Sequence, residues 1–340
     1  MSRIIVSILS EHSIPNFLFM KEMERRYDEM LFITTAQVDE KRRGEQLVKA
    51  LGLDKDVVFI VVDANDYCSA LSTMKQEWET REGDEYIVNL TGGTKIMSLV
   101  VHDFFATMKS RFYYVPIGKN TFYDIASGTS SELHYRVNLK EYFTLYGIRY
   151  KNTKESELTH TEQEDTDIYN EVREHRFRLP DKLRFAQESP SSELRRYYAG
   201  TWFEQFSYFC VKRALHLREE DIGLSVKIYR EGDQALNDNE LDVAFMYENA
   251  LYIVECKVTM RGLAGAKDTI EEYLYKLAAI AKDFGLQVRP YIFTLHRVQS
   301  LSEATRNNLV KRCQILGVRN IIYGNDFMNM ESALSKPLTM

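Results

Sequence analysis

The chain has 340 residues, of which 44% are hydrophobic and 28% are charged, and its formal net charge is −6. This balance is typical of globular proteins and excludes wholesale disorder, while the length suggests two domains. The negative net charge excludes a global positive field that would attract nucleic acid or anionic lipid. A local basic patch is still allowed, because net charge averages over both domains.

The cysteines and the hydropathy pattern indicate the cellular compartment. The sequence has four cysteines and no Cys-x-x-Cys pair, which favours a reducing compartment and argues against a disulfide framework or a structural zinc site. No apolar run is long enough for a transmembrane helix. The apolar N-terminal run is short and is interrupted by Glu11 and His12, so it predicts a first strand rather than a secretory signal. We expect a cytoplasmic protein without a membrane partner.

Apolar runs of strand length alternate with amphipathic segments in the first half of the chain. The predicted strands are residues 3–9, 31–35, 57–62, 85–90 and 111–117. One predicted helix follows Pro15 and a second ends near Leu51. Two more are predicted over residues 66–81 and 95–109. Such alternation predicts an α/β domain over residues 1–150, built on a parallel sheet that is covered on both faces. Two shorter strands, at about 121–125 and 132–137, predict a hairpin at the edge of this sheet.

A polar segment separates the two predicted domains. Residues 151–167 read KNTKESELTHTEQEDTD, in which Leu158 is the apolar residue, and this composition favours a linker. A charged helical stretch continues to about Gln187, so residues 151–190 are predicted to connect the domains. The second domain, residues 191–340, is a second predicted α/β unit. Its predicted elements are a helix over 191–215, a hairpin over 239–257, a helix over 268–283, a strand over 289–295, a helix over 302–316 and a strand over 319–324.

A glycine turn joins a strand to a helix in the first domain. The segment NLTGGTK (89–95) lies at the carboxyl edge of the predicted sheet, where ligands usually bind. Gly92 and Gly93 allow close approach of a ligand to the backbone, the first amides of the helix point toward it, and Lys95 adds a full charge. Thr91 and Thr94 supply hydroxyl groups. The ligand that fits these groups is a phosphate, although a tight turn with a capping threonine explains the same pattern.

A second polar loop is expected at the same edge of the sheet. SEHSIPN (10–16) follows the first predicted strand and ends in Pro15 and Asn16. If residues 3–9 form a central strand, the two loops face one crevice, and this arrangement favours a nucleotide site over a purely structural turn.

The hairpin of the second domain brings charged residues together. The segment NELDVAFMYENALYIVECK (239–257) has two apolar runs that flank Glu248-Asn249. A two-residue turn at this point makes the numbers of paired residues sum to 497, so Asp242 lies opposite Glu255. Cross-strand partners hold their Cβ atoms only about 4.5–5.5 Å apart, and like charges at that distance repel each other.

A divalent cation would resolve this repulsion. Asp242, Glu255 and the carbonyl of Cys256 offer only oxygen ligands, which favours Mg²⁺ or Mn²⁺. Lys257 would then orient a water molecule or stabilise a transition state at a phosphate. The alternative is a structural salt bridge in which Lys257 neutralises Glu255 or Glu240, and a longer turn would shift the register.

Other charged residues are candidates for the same site. Glu204 lies on the helix that begins the second domain and could complete the ligand shell, or it could be a structural carboxylate. Lys276 could line a substrate groove or could simply be solvated. A local phosphate-binding surface could form from six basic residues, which more often serve only solubility: Arg195, Arg196, Lys212, Arg213, Arg261 and Lys267.

These motifs together resemble a known family. Asp242 with Glu255-Cys256-Lys257, preceded by Glu204, resembles the PD-(D/E)xK nuclease motif, with Leu241 at the position of its proline. SEHSIPN and NLTGGTK are similar to the ligand loops of a Rossmann-like CARF domain. A CARF domain followed by a restriction-endonuclease-like α/β domain resembles the CRISPR ancillary nucleases of type III systems, which cyclic oligoadenylate activates.

The resemblance implies a homodimer that binds one cyclic tetra-adenylate across its two-fold axis and a metal-dependent nuclease domain that cuts DNA, RNA or both. It implies that Asp242 and Glu255 hold the metal, Lys257 assists the attacking water and Glu204 supports the site. It assigns the activator to Ser10, Pro15, Asn16, Thr91, Gly92, Gly93, Thr94 and Lys95. Two alternatives are a ligand-sensing regulator whose second domain binds nucleic acid without cutting it, and a Rossmann-type enzyme that acts on a small nucleotide.

Overall fold

A computed structural model describes residues 2–53, 55–178, 180, 191–230, 239–258, 270–297 and 301–336. The chain divides into two compact units, Met1–Ile148 and Arg149–Met340. Within the described ranges, no helix combines the length and the apolar character needed to cross a membrane.

The first unit is built on a seven-stranded sheet with the order β3-β2-β1-β4-β5-β6-β7. The strands are β1 Arg3–Ile8, β2 Glu29–Thr34, β3 Val57–Val61, β4 Glu85–Asn89, β5 Ser110–Tyr114, β6 Thr121–Asp124 and β7 Ser130–Glu132. The first five are parallel, and β6 and β7 add an antiparallel pair at one edge. The predicted parallel sheet is therefore confirmed. The predicted edge hairpin exists, but its second strand, expected at about 132–137, is Ser130–Glu132, so that prediction was displaced along the chain.

Helices cover both faces of this sheet. They are α1 Ile14–Glu22, α2 Ala36–Glu40, α3 Arg43–Leu51, α4 Tyr67–Glu77, α5 Lys95–Phe105 and α6 Leu139–Leu145. Ile4, Val6 and Ile8 share a core with residues of α4 and α5, and side chains of successive strand residues point to opposite faces. On the opposite face, α3 approaches so closely that a Cβ atom on Gly44 would lie 2.3 Å from the ring of Phe59.

The position of β1 explains where a ligand site can form. β2 and β3 lie on one side of β1, and β4 and β5 lie on the other side. The connections that follow β1 and β4 therefore leave the same edge of the sheet in opposite directions. In parallel α/β sheets this change of direction opens a crevice, and the two polar loops predicted from the sequence flank it.

The second unit contains a six-stranded sheet with the order β13-β12-β11-β10-β9-β8. The strands are β8 Ile148–Thr153, β9 Ile222–Arg230, β10 Asn239–Tyr247, β11 Ala250–Lys257, β12 Val288–Thr294 and β13 Asn320–Ile322. β9, β10 and β11 pair in antiparallel fashion, and β11, β12 and β13 are parallel. The sequence predicted four of these six strands and missed β8 and β9.

The helices of the second unit pack around one aromatic core. They are α7 Glu162–Glu174, α8 Ser192–Arg196, α9 Trp202–Ala214, α10 Ile270–Ala281, α11 Glu303–Leu316 and α12 Met330–Ser335, and a π-helical turn, Tyr197–Thr201, joins α8 to α9. Trp202 and Phe203 of α9 are fully buried against Phe245 and Val254 of the hairpin strands. The face of β11 that carries Val254 and Cys256 therefore belongs to the core beneath α9.

The segment predicted as a linker has regular structure within the second unit. It contains the edge strand β8 and helix α7, which starts with a capping box between Thr161 and Glu164. The Tyr197 hydroxyl donates a hydrogen bond to the buried Asp165 carboxylate at 2.6 Å. The linker prediction was wrong here because few apolar residues are enough to attach α7 when buried polar contacts support them. The C-terminal part of the predicted connecting helix, residues 181–190, lies outside the described residues.

The β10–β11 hairpin has the predicted register. Val243 pairs with Val254 and Tyr247 with Ala250, so paired numbers sum to 497. Glu248 and Asn249 form the two-residue turn, with φ angles of 49° and 59°. Two consecutive positive φ values characterise the type I′ turn, whose twist matches that of the flanking strands. The turn thereby fixes which residues face each other at the far end of the hairpin.

We predict that this turn is sensitive to side-chain branching at position 248. Glu248→Val should lower the free energy of unfolding by about 1 kcal/mol more than Glu248→Asn, because a β-branched residue tolerates the left-handed region poorly and asparagine tolerates it well. Urea unfolding of the two variants measures the difference. Both substitutions remove the same carboxylate, so equal stabilities would contradict the role of the turn.

Candidate ligand-binding and active sites

The two polar loops of the first unit are in direct proximity. A Cβ atom on Gly92, which has a φ of +98°, would lie 2.6 Å from the carbonyl oxygen of Ile8 and 3.3 Å from the Ser10 hydroxyl. A Cβ on Gly93 would lie 2.5 Å from a methyl group of Ile8. Only glycine fits at these positions, because the turn packs against the end of β1. The structure therefore brings Ser10, Gly92 and Gly93 together at the crevice.

The N-terminus of α5 completes this surface. Thr94 caps the helix by accepting a hydrogen bond from the Met97 amide, and its hydroxyl donates to the Ala64 carbonyl at 2.6 Å. Lys95 is the first residue of α5 and is exposed. Its charge adds to the positive end of the helix, an arrangement that suits an anion.

Four of the predicted ligand residues are used by the protein itself. Thr91 is buried and its hydroxyl accepts a hydrogen bond from the Val115 amide at 2.7 Å, and the Thr94 hydroxyl is occupied by the cap. Pro15 and Asn16 are buried in the first turn of α1. Thr91 and Thr94 therefore help to close the turn, and their contact with a ligand stays a prediction.

A buried polar network beneath the crevice was missed in the sequence. The Asn16 amide donates to the Ser7 hydroxyl and to the Ile8 carbonyl, both at 2.7 Å. The Asn89 amide donates to the same Ser7 hydroxyl at 3.3 Å, and the Asn89 side-chain oxygen accepts from the Thr91 amide at 3.0 Å. This network ties both loops to one hydroxyl. Its signal in the sequence is a polar residue near the end of each of two otherwise apolar strands.

The hairpin of the second unit brings Asp242 and Glu255 onto one lysine. The Lys257 ammonium lies 2.7 Å from Glu255 Oε1 and 3.7 Å from Asp242 Oδ2. It also donates a hydrogen bond to the Cys256 carbonyl at 3.0 Å. The same Oδ2 atom of Asp242 also accepts a hydrogen bond from the Cys256 main-chain amide at 2.6 Å. The salt bridge that the sequence left open as an alternative is therefore present in the chain without metal.

This arrangement passes a test of its fit to a divalent cation. Three oxygen atoms, from Asp242, Glu255 and the Cys256 carbonyl, converge on the single positive charge of Lys257. Two carboxylates and a carbonyl are ligands that Mg²⁺ and Mn²⁺ accept. Among the described residues, no three or more His, Cys, Asp or Glu side chains are grouped to hold a metal. The role of Glu204 as a further metal ligand stays a prediction.

Burial makes the carboxylate of Asp242 unusually basic. Burial, followed by the nearby charges of Glu255 and Glu204, raises the pKa of Asp242 to about 8, although Lys257 and the Cys256 amide act in the opposite direction. Burial alone would lower the pKa of Lys257, but Asp242 and Glu255 outweigh it and raise that pKa. The lysine is therefore held as a cation, and one lysine does not compensate all of the negative charge.

Glu204 contributes to the site through its charge. It lies near the start of α9, which packs against β10 and β11. Burial raises its pKa, Glu240 and Glu255 raise it further, and Lys257 and Arg196 lower it. Glu240 lies beside Lys227 on the neighbouring strand at 4.0 Å.

Helix α10 adds two residues to the site. The Lys276 ammonium lies 3.6 Å from Glu255 Oε1, and the Tyr273 ring lies 4.7 Å from the Lys257 ammonium in a cation–π contact. Tyr273 was missed, and Lys276 was one of several possibilities. Neither position follows from local pattern, because residues 258–269 separate α10 from the motif on β11 and only the tertiary packing brings them together.

The predicted basic surface is largely neutralised. Lys212 pairs with Glu155, and Arg213 pairs with Glu162 at 2.7 Å. Both acids come from the segment that was expected to be a linker, which explains why the sequence suggested free basic groups. Arg195 and Arg196 are exposed on α8. Arg261 and Lys267 lie outside the described residues.

Comparison with protein families assigns both units. Residues 4–142 match the CARF domain of Card1, and residues 191–332 match the endonuclease domain of Card1-like proteins. A comparison with curated protein sequences finds no significant match.

Solved structures with a similar fold cover almost the whole chain. Can2 from Sulfobacillus thermosulfidooxidans in complex with cyclic tetra-adenylate has a TM-score of 0.74 at 19% identity, covering 99% of this chain and 100% of that chain. Protein VC1899 from Vibrio cholerae has a TM-score of 0.71 at 19% identity, covering 98% and 97%. A type III CRISPR defence DNA nuclease activated by cyclic oligoadenylate has a TM-score of 0.56 at 17% identity, covering 87% of this chain and 45% of that chain. At these identities the similarity concerns the fold.

The raised pKa of Asp242 predicts how stability depends on pH in EDTA. The folded chain holds this proton up to about pH 8, whereas an unfolded aspartate releases it near pH 4, at about 3.9. The stability associated with Asp242 is therefore fully present below about pH 4 and is lost as the pH rises to about 8. Asp242→Asn has no such titration, so between pH 5 and pH 8 the wild type should lose on the order of a few kcal/mol relative to this variant.

Urea unfolding of both proteins at pH 5 and at pH 8 measures this difference. Other titrating groups are common to the two chains and cancel in the comparison. A wild type that gains stability relative to Asp242→Asn over this range would contradict the buried environment assigned to the carboxylate.

Proposed function

The chain carries a Card1-type CARF domain joined to a Card1-like endonuclease domain, and we propose that it is a metal-dependent nuclease switched on by a cyclic oligoadenylate. The proposed activator is cyclic tetra-adenylate, and the proposed substrates are DNA, RNA or both, in type III CRISPR antiviral defence. A homodimer in the cytoplasm is proposed as the working form.

One observation carries the catalytic part of this proposal. Asp242 Oδ2, Glu255 Oε1 and the Cys256 carbonyl oxygen all lie within 4 Å of the Lys257 ammonium. Two acids and a carbonyl therefore gather at the end of a hairpin inside an endonuclease domain, and this donor set suits a divalent metal.

The residues have distinct roles in the proposed reaction. Asp242, Glu255 and the Cys256 carbonyl would hold Mn²⁺ or Mg²⁺. When bound, such an ion makes a water molecule more acidic and withdraws charge from a phosphoryl oxygen. Lys257 is held in place by Glu255, by the Cys256 carbonyl and by the Tyr273 ring. Because its pKa is raised, it acts as a fixed cation that orients the attacking water or neutralises charge on the phosphate, rather than as a base.

Glu204 is proposed to support this site. Burial raises the pKa of its carboxyl group, whereas Lys257 and Arg196 lower it. The charge of Glu204 therefore depends on the lysine and the acids around it.

The activator is proposed to bind at the crevice of the CARF domain. Ser10, the amides of Gly92 and Gly93, and Lys95 are proposed to contact a phosphate of the ring. Two identical crevices related by a two-fold axis suit a ring with four phosphates. To turn the dimer from mostly inactive to mostly active, the ligand must favour the active state by about 5.5 kcal/mol, and several charge-assisted phosphate contacts per subunit can supply that difference.

A cleavage assay tests the proposal directly. Purified protein is incubated with Mn²⁺, supercoiled plasmid and labelled RNA, with and without cyclic tetra-adenylate, and with EDTA as a metal-free control. We expect cleavage only when metal and activator are both present. Activator binding without cleavage of either polymer would instead favour a ligand-sensing regulator.

We predict that Lys95→Ala abolishes activation and leaves the activator-independent background cleavage intact, because the lysine contributes charge only at the crevice. Isothermal titration with cyclic tetra-adenylate and the cleavage assay measure the two effects. Lys109→Ala is the matched control, since Lys109 pairs with Glu85 at the opposite edge of the same sheet and should behave as wild type. Loss of the background cleavage in Lys95→Ala would argue against separate sensing and cutting sites.

We predict that Asp242→Asn binds the activator normally but loses at least about 100-fold in cleavage rate, since removal of one electrostatic group from a preorganised site commonly costs that much. Glu248→Gln removes a carboxylate at the other end of the same hairpin and should retain activity. Wild-type cleavage by Asp242→Asn would disprove the metal assignment.

A further inference from the structure

Two lysines share one oxygen of Glu255, and their environments differ. Lys257 lies 2.7 Å from Glu255 Oε1, and its side chain is 25% exposed. Lys276 lies 3.6 Å from the same oxygen, and its side chain is 50% exposed. A separation of 3.6 Å is longer than a hydrogen bond. Lys276 therefore feels the charge of Glu255 without being fixed by it.

The contacts of Lys257 occupy it within the site. It donates to the Cys256 carbonyl and lies over the Tyr273 ring, so its position is set from three sides. Lys276 lies three residues after Tyr273, and residues three apart lie on the same side of a helix. Helix α10 thus contributes the Tyr273 ring, which contacts Lys257. It also contributes Lys276, which is half-exposed and lies near Glu255.

A polyanionic substrate needs positive charge at this entrance. The acidic side chains of Asp242 and Glu255 lie beside Lys257, and negative charge there opposes the approach of a phosphate backbone. Several basic residues of this unit are paired with acids, namely Lys212 with Glu155, Arg213 with Glu162 and Lys227 with Glu240, whereas Arg195 and Arg196 on α8 are exposed. Lys276 is half-exposed and adjacent to the cluster, so it can exchange a weak contact with Glu255 for a direct contact with phosphate.

We propose that Lys276 is a substrate-binding residue that contacts a backbone phosphate next to the scissile position. The inference rests on the proposed nuclease function. In the free protein Lys276 stays near Glu255, and when substrate enters, its flexible four-carbon side chain moves the ammonium onto the phosphate. Lysine acts here as a point charge, without sequence preference.

The salt dependence of binding separates this role from a structural one. The probes are fluorescently labelled duplex DNA and single-stranded RNA, and binding is measured by anisotropy with cyclic tetra-adenylate and EDTA from 50 to 200 mM salt. Loss of one phosphate contact should reduce the slope of log K against log salt by about 0.9 for duplex and about 0.7 for a single strand. Over this range the wild-type duplex affinity should fall about 3.5-fold more than that of Lys276→Gln.

Two further variants make the test specific. Lys276→Arg keeps the charge and should restore the wild-type slope. Lys282→Gln, which removes an exposed lysine just after the same helix, should leave the slope unchanged. With Mn²⁺ present, Lys276→Gln should raise KM more than it lowers kcat, because it removes a contact made before the reaction.

The outcomes distinguish the inference from the function on which it rests. A wild-type slope in Lys276→Gln, with altered thermal stability or Mn²⁺ affinity, would assign the lysine to neutralising Glu255 and overturn the inference while the nuclease proposal stands. If the wild type itself binds neither DNA nor RNA, both proposals fail.

Discussion

The enforced proximity of two carboxylates is the constraint on which the second domain depends. Asp242 and Glu255 come from neighbouring strands and lie next to the pair formed by Val243 and Val254, whose register follows from the turn at Glu248 and Asn249. Burial and mutual repulsion raise the pKa of Asp242 to about 8. Three groups partly compensate this negative charge: the Lys257 ammonium, the Lys276 ammonium from α10 and the main-chain amide of Cys256.

The two proposed sites differ in the groups that would contact a ligand and in what holds those groups in place. At the crevice of the CARF domain the ligand surface is mainly backbone, so its shape depends on a buried network in which Ser7, Asn16 and Asn89 hold two loops together. At the endonuclease site the groups are charged side chains, and their balance matters more than their shape. The first is preorganised by hydrogen bonds and glycine geometry, and the second by opposing charges in a partly dry environment.

Much of this could be predicted from local pattern, and what was missed has physical causes. Apolar runs and the Glu248-Asn249 turn were enough to derive the parallel sheet and the hairpin register, because both depend on short-range rules. β8 was missed since its sequence, IRYKNT, is polar enough for a linker and is ordered only by pairing at a sheet edge. The Thr91 hydroxyl accepts a hydrogen bond from the Val115 amide, and the Thr94 hydroxyl donates one to the Ala64 carbonyl. No sequence pattern reports these contacts. The lysine on α10 reaches Glu255 through packing alone.

The salt bridge between Lys257 and Glu255 has a consequence for how the endonuclease domain folds. A buried carboxylate without a counterion resists folding, because its uncompensated charge is costly to remove from water. Here the chain carries a counterion for Glu255 two residues further along the same strand. Neutralising Glu255 during folding therefore depends on the chain itself and requires no external cation.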